Sequence, residues 1–166
     1  MCIIAIKPAG VKMPAMKTIE NCWYNNPDGA GIMYATSRTV HIEKGFMTLK
    51  DLKTALERLE KTIDTTNTPI ILHFRITTHG GTSAGNCHPF PVTEKLPLLQ
   101  MAKCKAPLAV AHNGMIDIKL SRQDISDTME YVISQLAPLY QLKKNFYTQP
   151  AGKKLVYNAI KSKMVF

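Results

Sequence analysis

The feature that most restricts the fold is an apolar, β-branched run at the very start of the chain. The run 2–6 (CIIAI) directly follows Met1, and Pro8 and Gly10 end it. A short run of this composition predicts a strand that is buried in a sheet. The chain is therefore expected to place Cys2 at the head of a buried strand.

Further strand and helix signals follow in mixed order. Thr48 and Asp51 form a capping box before apolar residues at helical spacing, which predicts a helix over 48–63. Ser126 is expected to cap a second amphipathic helix, and a third, short helix is predicted between 153 and 161. Strands are predicted at 31–36 and 39–43, which form a hairpin, and at 70–76 and 108–112, with a long irregular loop over 77–91. This order predicts a mixed α+β fold that covers 1–166 as a single domain.

The last residues, 163–166 (KMVF), are typical of the start of a strand. Two hypotheses follow: the chain is a fragment of a longer protein, or this run pairs with another element. A natural stop after Phe166 would rule out the first hypothesis.

The chain is basic, with a formal net charge of +9 and a pI near 9.4. Clustered Lys and Arg attract phosphates, but most lysines here occur singly and no aromatic residues alternate with them in a basic motif. A solvated basic surface is therefore favoured over a nucleic-acid interface, and a surface for an acidic partner or second domain stays open. The densest group of lysines lies near the C-terminus: Lys143, Lys144, Lys153, Lys154, Lys161 and Lys163.

Location and metal content are predicted from what the sequence lacks. No apolar run reaches the ~20 residues that a membrane helix needs, and no secretory signal is present, so we expect a cytoplasmic protein without membrane association. The four cysteines form no CxxC pair, and the five histidines lack metal-ligand spacing. Reduced thiols and no metal site are therefore predicted.

Cys2 is the first candidate for chemistry. Initiator methionine is generally removed before a small side chain, which would leave Cys2 with both a thiol and a free α-amine. An α-amine titrates near ~8, so it can accept the thiol proton at neutral pH. The competing interpretation is that Cys2 is only a small buried hydrophobe.

Five segments in order resemble the glutaminase domain of class II glutamine amidotransferases, the family of amidophosphoribosyltransferase and glucosamine-6-phosphate synthase. They are MCIIAI at the start, HFRITTHG (73–80) for the family's HxRxATHG, NCHPF (86–90) for NAHPH, AHNGMI (111–116) for its HNG segment and SDT (126–128) for SDTE. The resemblance implies a four-layer αββα N-terminal-nucleophile hydrolase sandwich. It also implies that glutamine is hydrolysed to glutamate and ammonia, with the ammonia passed to a synthase or transferase domain or subunit.

The resemblance also implies a set of site residues. Arg75 offers a planar fork for the glutamine α-carboxylate, and Asp127 can pair with the α-ammonium. A simpler role for Asp127, as an acid in the first turn of a helix, stays open. The implied catalytic residues are Cys2 as nucleophile with Asn113 and Gly114 as the oxyanion hole; the implied substrate-binding residues are Arg75, Thr78, His79, Gly80 and Asp127.

Several positions depart from the family pattern. Ile76 stands where some members carry an aromatic residue, and Met129 where the family often has Glu. The family domain is typically longer, so this sequence is expected to lack late strands of the sandwich and the acceptor domain. The turn 25–31 (NNPDGAG) is similar to turns near the site in some members but is assigned no role.

Three other functions are alternatives to a glutaminase. They are an enzyme for another γ-glutamyl compound, a non-catalytic binding or regulatory module and, last, a nucleic-acid module.

Overall fold

The computed structural model describes residues 1–78 and 81–166, so the predicted site residues His79 and Gly80 lie outside the described residues. The strands are β1 (Ile3–Lys7), β2 (Ala30–Thr36), β3 (Thr39–Phe46), β4 (Ile70–Phe74), β5 (Phe90–Pro91), β6 (Lys103–Ala106), β7 (Ala109–Asn113) and β8 (Lys163–Val165). The α-helices are α1 (Met16–Asn25), α2 (Leu49–Thr62), α3 (Leu96–Gln100), α4 (Asp127–Tyr131), α5 (Ala137–Leu142) and α6 (Pro150–Ile160). A π-helical segment, Val132–Leu136, joins α4 to α5.

The strands form two antiparallel sheets. The larger has the order β1-β4-β2-β3-β6, and the smaller has the order β5-β7-β8. β1 pairs with β4 in the register Ile3↔Phe74, which brings the residue before β1 to the end of β4. The register therefore places Cys2 beside the segment that begins at Arg75.

Three apolar clusters hold the elements together. The first joins α1 and α2 to one face of the larger sheet, through residues such as Trp23, Leu56 and Leu72. The second, smaller cluster includes Met33 and Ile42 of the larger sheet together with Ala109 and Ala111 of β7. The third packs the smaller sheet against α4, the π-helical segment and α6, and includes Phe90, Val110, Met129, Val132 and Ile160. On β7, Ala109 and Ala111 pack against the larger sheet and Val110 packs against the helices, so both sides of the strand are buried.

The mixed α+β prediction is confirmed. The hairpin forms as β2 and β3, and α2 begins where the capping box predicts, with the Thr48 side chain accepting from the Asp51 N–H at 3.1 Å. Ser126 caps α4 by accepting from the Met129 N–H at 3.2 Å, and the terminal run forms β8, which pairs with β7. The predicted strand 70–76 ends two residues early, because Arg75 and Ile76 turn into the loop.

Sequence patterns did not predict α1, α3 or β6. In α1 the buried residues are Ile19 and Trp23, four positions apart, and they are too few to stand out as a periodic pattern. α3 has five residues and β6 has four, so neither is long enough to carry a period.

A buried lysine holds the loop 81–89 against the larger sheet. Lys44, on β3, is 2% exposed, and its Nζ donates to the carbonyls of Gly85, at 2.9 Å, and Leu99. Burial lowers the pKa of Lys44 to about 7. On the neighbouring strand, a Cβ at Gly31 would lie 2.0 Å from the His88 carbonyl oxygen, so only glycine lets the loop approach this closely.

In the part of the chain that the structure describes, every helix is too short or too polar to cross a bilayer.

Candidate active site

Cys2 lines a pocket at the end of β1. The pocket has a volume of about 210 Å³, and the Cys2 thiol donates to the Ile76 carbonyl at 3.6 Å. Among the described residues, its walls are Met1, Cys2, Ile76, Thr78, Gly114 and Met115. Three sequence segments that lie far apart in the chain, at positions 1–2, 76–78 and 114–115, therefore meet around one thiol.

The Asn-Gly turn lies at the end of β7. Gly114 has a φ of +155°, and a Cβ there would lie 2.5 Å from the Ser162 Cβ, so the position requires glycine. The Asn113 Oδ1 atom is buried and accepts no hydrogen bond from the described residues. The sequence prediction paired these two residues, and the structure places Gly114 in the wall of the Cys2 pocket with Asn113 directly before it.

Asp127 anchors the segment that follows this turn. Its Oδ2 accepts from the Ile116 N–H at 2.7 Å, and its Oδ1 accepts from the Thr128 N–H at 2.7 Å. Asp127 is 6% exposed and is the first residue of α4, so it also has the first-turn position that the simpler interpretation gave it. Asp127 is not among the described residues that line the pocket.

Arg75 follows β4 and is 3% exposed. Its Nη1 donates to the Thr77 Oγ1 at 2.9 Å, and its backbone N–H donates to the Gly29 carbonyl at 2.8 Å. The Asp28 carboxylate accepts from the Thr77 N–H at 2.8 Å, which fastens the loop over 75–77 to the turn after α1. Thr78 lines the Cys2 pocket, whereas Arg75 is not among the described lining residues.

Three buried histidines, His73, His88 and His112, lie close together near the end of β7. The His73 Nε2–H donates to the His112 carbonyl at 3.0 Å, and the rings of His73 and His88 lie 4.2 Å apart. Burial lowers the pKa of all three, that of His73 to about 3, that of His88 well below its usual value, and that of His112 as well. All three are therefore expected to be neutral at pH 7.

The neutral His112 links the turn to α4 and to the last strand. The His112 Nε2 forms a hydrogen bond with the Ser162 hydroxyl at 2.7 Å, and its Nδ1 forms one with the Thr128 hydroxyl at 3.0 Å. The Ser162 hydroxyl also lies 2.9 Å from the Ile160 carbonyl, and the Thr128 hydroxyl lies 3.3 Å from the Asp127 Oδ1. The two bonds of the His112 ring fix it on both sides, directly before Asn113.

Asn26 contacts the N-terminus, and sequence reasoning gave it no role. Its side-chain Nδ2 donates to the Met1 carbonyl at 2.8 Å, and the residue is 3% exposed. It ends α1, where its backbone N–H donates to the carbonyls of Cys22 and Trp23. The only sequence signal was its membership of the turn 25–31, which explains why its approach to the N-terminus was not predicted.

Comparison with known proteins gives no family for this chain: neither the protein-family models nor the curated proteins contain a match. Within residues 1–78 and 81–166, no three His, Cys, Asp or Glu side chains are grouped so that they could hold a metal ion.

Proposed function

We propose that this protein is a glutaminase of the N-terminal-nucleophile type, which hydrolyses glutamine through Cys2 and delivers ammonia to a partner. The observation that carries the proposal is the pocket in which the Cys2 thiol meets Thr78 and Gly114. Two of the motifs that resemble class II glutamine amidotransferases contribute these residues.

The layering of the core supports the same proposal. Helices α1 and α2 cover the outer face of the larger sheet, and the helices after residue 126 cover the smaller sheet. We assign this arrangement to the four-layer αββα sandwich of N-terminal-nucleophile hydrolases. The two sheets meet through the cluster that contains Met33 and Ala111, and β1 lies in the larger sheet with Cys2 directly before it.

The proposed reaction begins after Met1 is removed. The Cys2 α-amine takes the thiol proton, and the thiolate attacks the γ-carbonyl carbon of glutamine. The oxyanion that forms accepts from the Gly114 N–H and the Asn113 side-chain amide. The proton passes from the α-amine to the departing nitrogen, ammonia leaves, and a γ-glutamyl thioester remains. Water then cleaves the thioester, which releases glutamate and restores the thiol.

Substrate recognition is assigned to Arg75 for the α-carboxylate and to Asp127 for the α-ammonium. The Asp127 carboxylate keeps acceptor capacity beyond its two backbone donors and the Thr128 hydroxyl, because a carboxylate has about four lone-pair sites. Thr78, His79 and Gly80 are proposed to complete the glutamine site. The acceptor of ammonia is proposed to be a synthase or transferase domain or subunit, and the site needs no metal or organic cofactor.

The test is release of glutamate and ammonia from glutamine by processed protein, with Cys2→Ala as the inactive variant. Cys22→Ala is a matched control, because Cys22 is also a partly buried free cysteine but lies on α1. Activity that is lost in Cys2→Ala and kept in Cys22→Ala supports the proposal. Processed protein that releases neither product would refute it and would leave a binding or regulatory module as the better account.

A second candidate is hydrolysis of another γ-glutamyl compound at the same thiol. Arg75 and Asp127 both already bond protein groups, and neither lines the pocket among the described residues, which favours a less strict requirement for free glutamine. The rate with γ-glutamyl-p-nitroanilide relative to glutamine distinguishes the two candidates. A kcat/KM higher for the anilide favours the second candidate.

A further inference from the structure

We infer that Asn26 positions the α-amine of Cys2, the group proposed as the general base; this inference rests on the proposed function. The starting observation is the hydrogen bond from the Asn26 Nδ2 to the Met1 carbonyl oxygen, at 2.8 Å. That oxygen belongs to the peptide bond that must break to release the amine.

The geometry places the Asn26 side chain beside the future amine. In a planar peptide unit, the carbonyl oxygen and the next nitrogen share one carbon, at ~1.23 and ~1.33 Å. The Asn26 Nδ2 therefore lies no more than about 5 Å from the Cys2 nitrogen. Asn26 is 3% exposed, and its backbone is fixed at the end of α1, so the side chain has little room to move away.

Removal of Met1 takes away the acceptor that this side chain uses. A buried amide without a partner costs about 1–3 kcal/mol, so the carboxamide must find another one nearby. The new α-amine lies within about 5 Å of this side chain, so it can serve as that partner. A carboxamide presents both a donor and an acceptor, and its Oδ1 can accept from an amine N–H.

This contact gives Asn26 a defined task. When one amine N–H is held by the Asn26 Oδ1, the rotation of the amine about the Cα–N bond is restricted, and its lone pair can be directed at the thiol. Asn26 transfers no proton itself, so it is a positioning residue. The Asn26→Asp substitution keeps the shape of the side chain but places a negative charge beside the amine, and this charge raises the amine pKa.

The experiment compares Asn26→Asp with Asn25→Asp. Asn25 directly precedes Asn26, but it is exposed and its side chain donates to the Asn21 carbonyl at 2.7 Å. Each protein is released from a fusion that is cleaved directly before Cys2, so every variant begins with the same amine. NMR titration of protein labelled with ¹³C-cysteine then gives the pKa of the Cys2 α-amine without any need for glutamine.

We expect Asn26→Asp to raise the α-amine pKa by about one unit, because an opposite charge within 4–6 Å has an effect of this size, and Asn25→Asp to leave it near the wild-type value. The acidic limb of the kcat/KM profile should move to higher pH by the same amount. Asn26→Ala should lower kcat about 10- to 100-fold with little change in KM, since it removes orientation and not substrate contacts.

An α-amine pKa that is the same in Asn26→Asp and Asn25→Asp would overturn the inference, even if the wild type hydrolyses glutamine. A raised pKa in a protein that does not hydrolyse glutamine would instead refute the proposed function and keep Asn26 beside the amine. Thermal unfolding shows which variants are folded. If Asn26→Ala fails to fold, the near-isosteric Asn26→Asp still decides the outcome.

Discussion

The buried histidine His73 should make the fold sensitive to mild acid. Its pKa in the folded chain is lowered to about 3 by complete burial, whereas an unfolded histidine titrates near ~6.5. The folded state therefore binds fewer protons than the unfolded state below that value. Stability is present above the unfolded pKa and is lost as the pH falls towards the folded pKa.

The size of the effect follows from these two values. One pKa unit corresponds to about 1.4 kcal/mol, so His73 alone should remove about 2 kcal/mol from the free energy of unfolding between about pH 7.5 and pH 5. His88 and His112 add to the acid sensitivity in the same direction, because burial lowers their pKa values as well. Carboxylates contribute little in this range, because most of them titrate lower.

The assay is urea unfolding at a series of pH values for the wild type and His73→Gln. The Gln amide can still donate to the His112 carbonyl, which His73 Nε2 contacts at 3.0 Å, but it does not titrate. His41→Gln is the control, since His41 lies on the partly exposed hairpin strand β3. We expect the pH-dependent loss to be about 2 kcal/mol smaller in His73→Gln than in the wild type, and to change less in His41→Gln, because the pKa of His41 is lowered only by partial burial and by Lys105. Equal losses of unfolding free energy in the wild type and His73→Gln would show that His73 does not cause the acid sensitivity.

Two further substitutions test how the loop 81–89 and the residues after the Asn-Gly turn are held. Gly31→Ala should destabilise the fold by about 3 kcal/mol or more, because the new Cβ would lie 2.0 Å from a backbone oxygen. Gly85→Ala is the control, because its new Cβ would meet only ordinary contacts, from 3.4 Å. Equal urea midpoints for the two variants would contradict this prediction. Asp127→Ala should cost about 2–3 kcal/mol, because it leaves two backbone N–H groups without their charged acceptor, and should also reduce any glutaminase activity. The matched exposed variant Asp124→Ala should leave the free energy of unfolding nearly unchanged. If Asp127→Ala lowers that free energy no more than Asp124→Ala does, Asp127 does not anchor the segment after the turn.

The sequence predicted those elements whose own residues contain the signal. Thr48 and Asp51 gave the start of α2, and the β-branched run 2–6 gave β1, because capping and burial are local properties. Among the missed elements, α1 has only two buried residues, while α3 and β6 are short and gain their shape from pairing and packing with distant residues. Local patterns do not contain those contacts.

The candidate site likewise contains residues that the sequence identified and residues that only the structure revealed. The resemblance to the glutaminase family singled out Cys2, Thr78 and Gly114, which the fold brings to one pocket. It did not identify Asn26, because the approach of that side chain to Met1 depends on how α1 crosses the larger sheet. The bonds that hold Asp127 and Arg75 to neighbouring backbone and side-chain groups also became visible only in three dimensions.

The most direct measurement of the central claim is the intact mass of the purified protein before and after treatment with the glutamine analogue diazo-oxo-norleucine. We expect a chain without Met1 that gains one adduct, with the adduct mapped to Cys2 and absent from Cys2→Ala. The other three cysteines serve as internal controls for general thiol reactivity. A processed chain that stays unlabelled at Cys2, or that is labelled equally at Cys22 or Cys104, would contradict the claim that Cys2 is the nucleophile of a glutamine site.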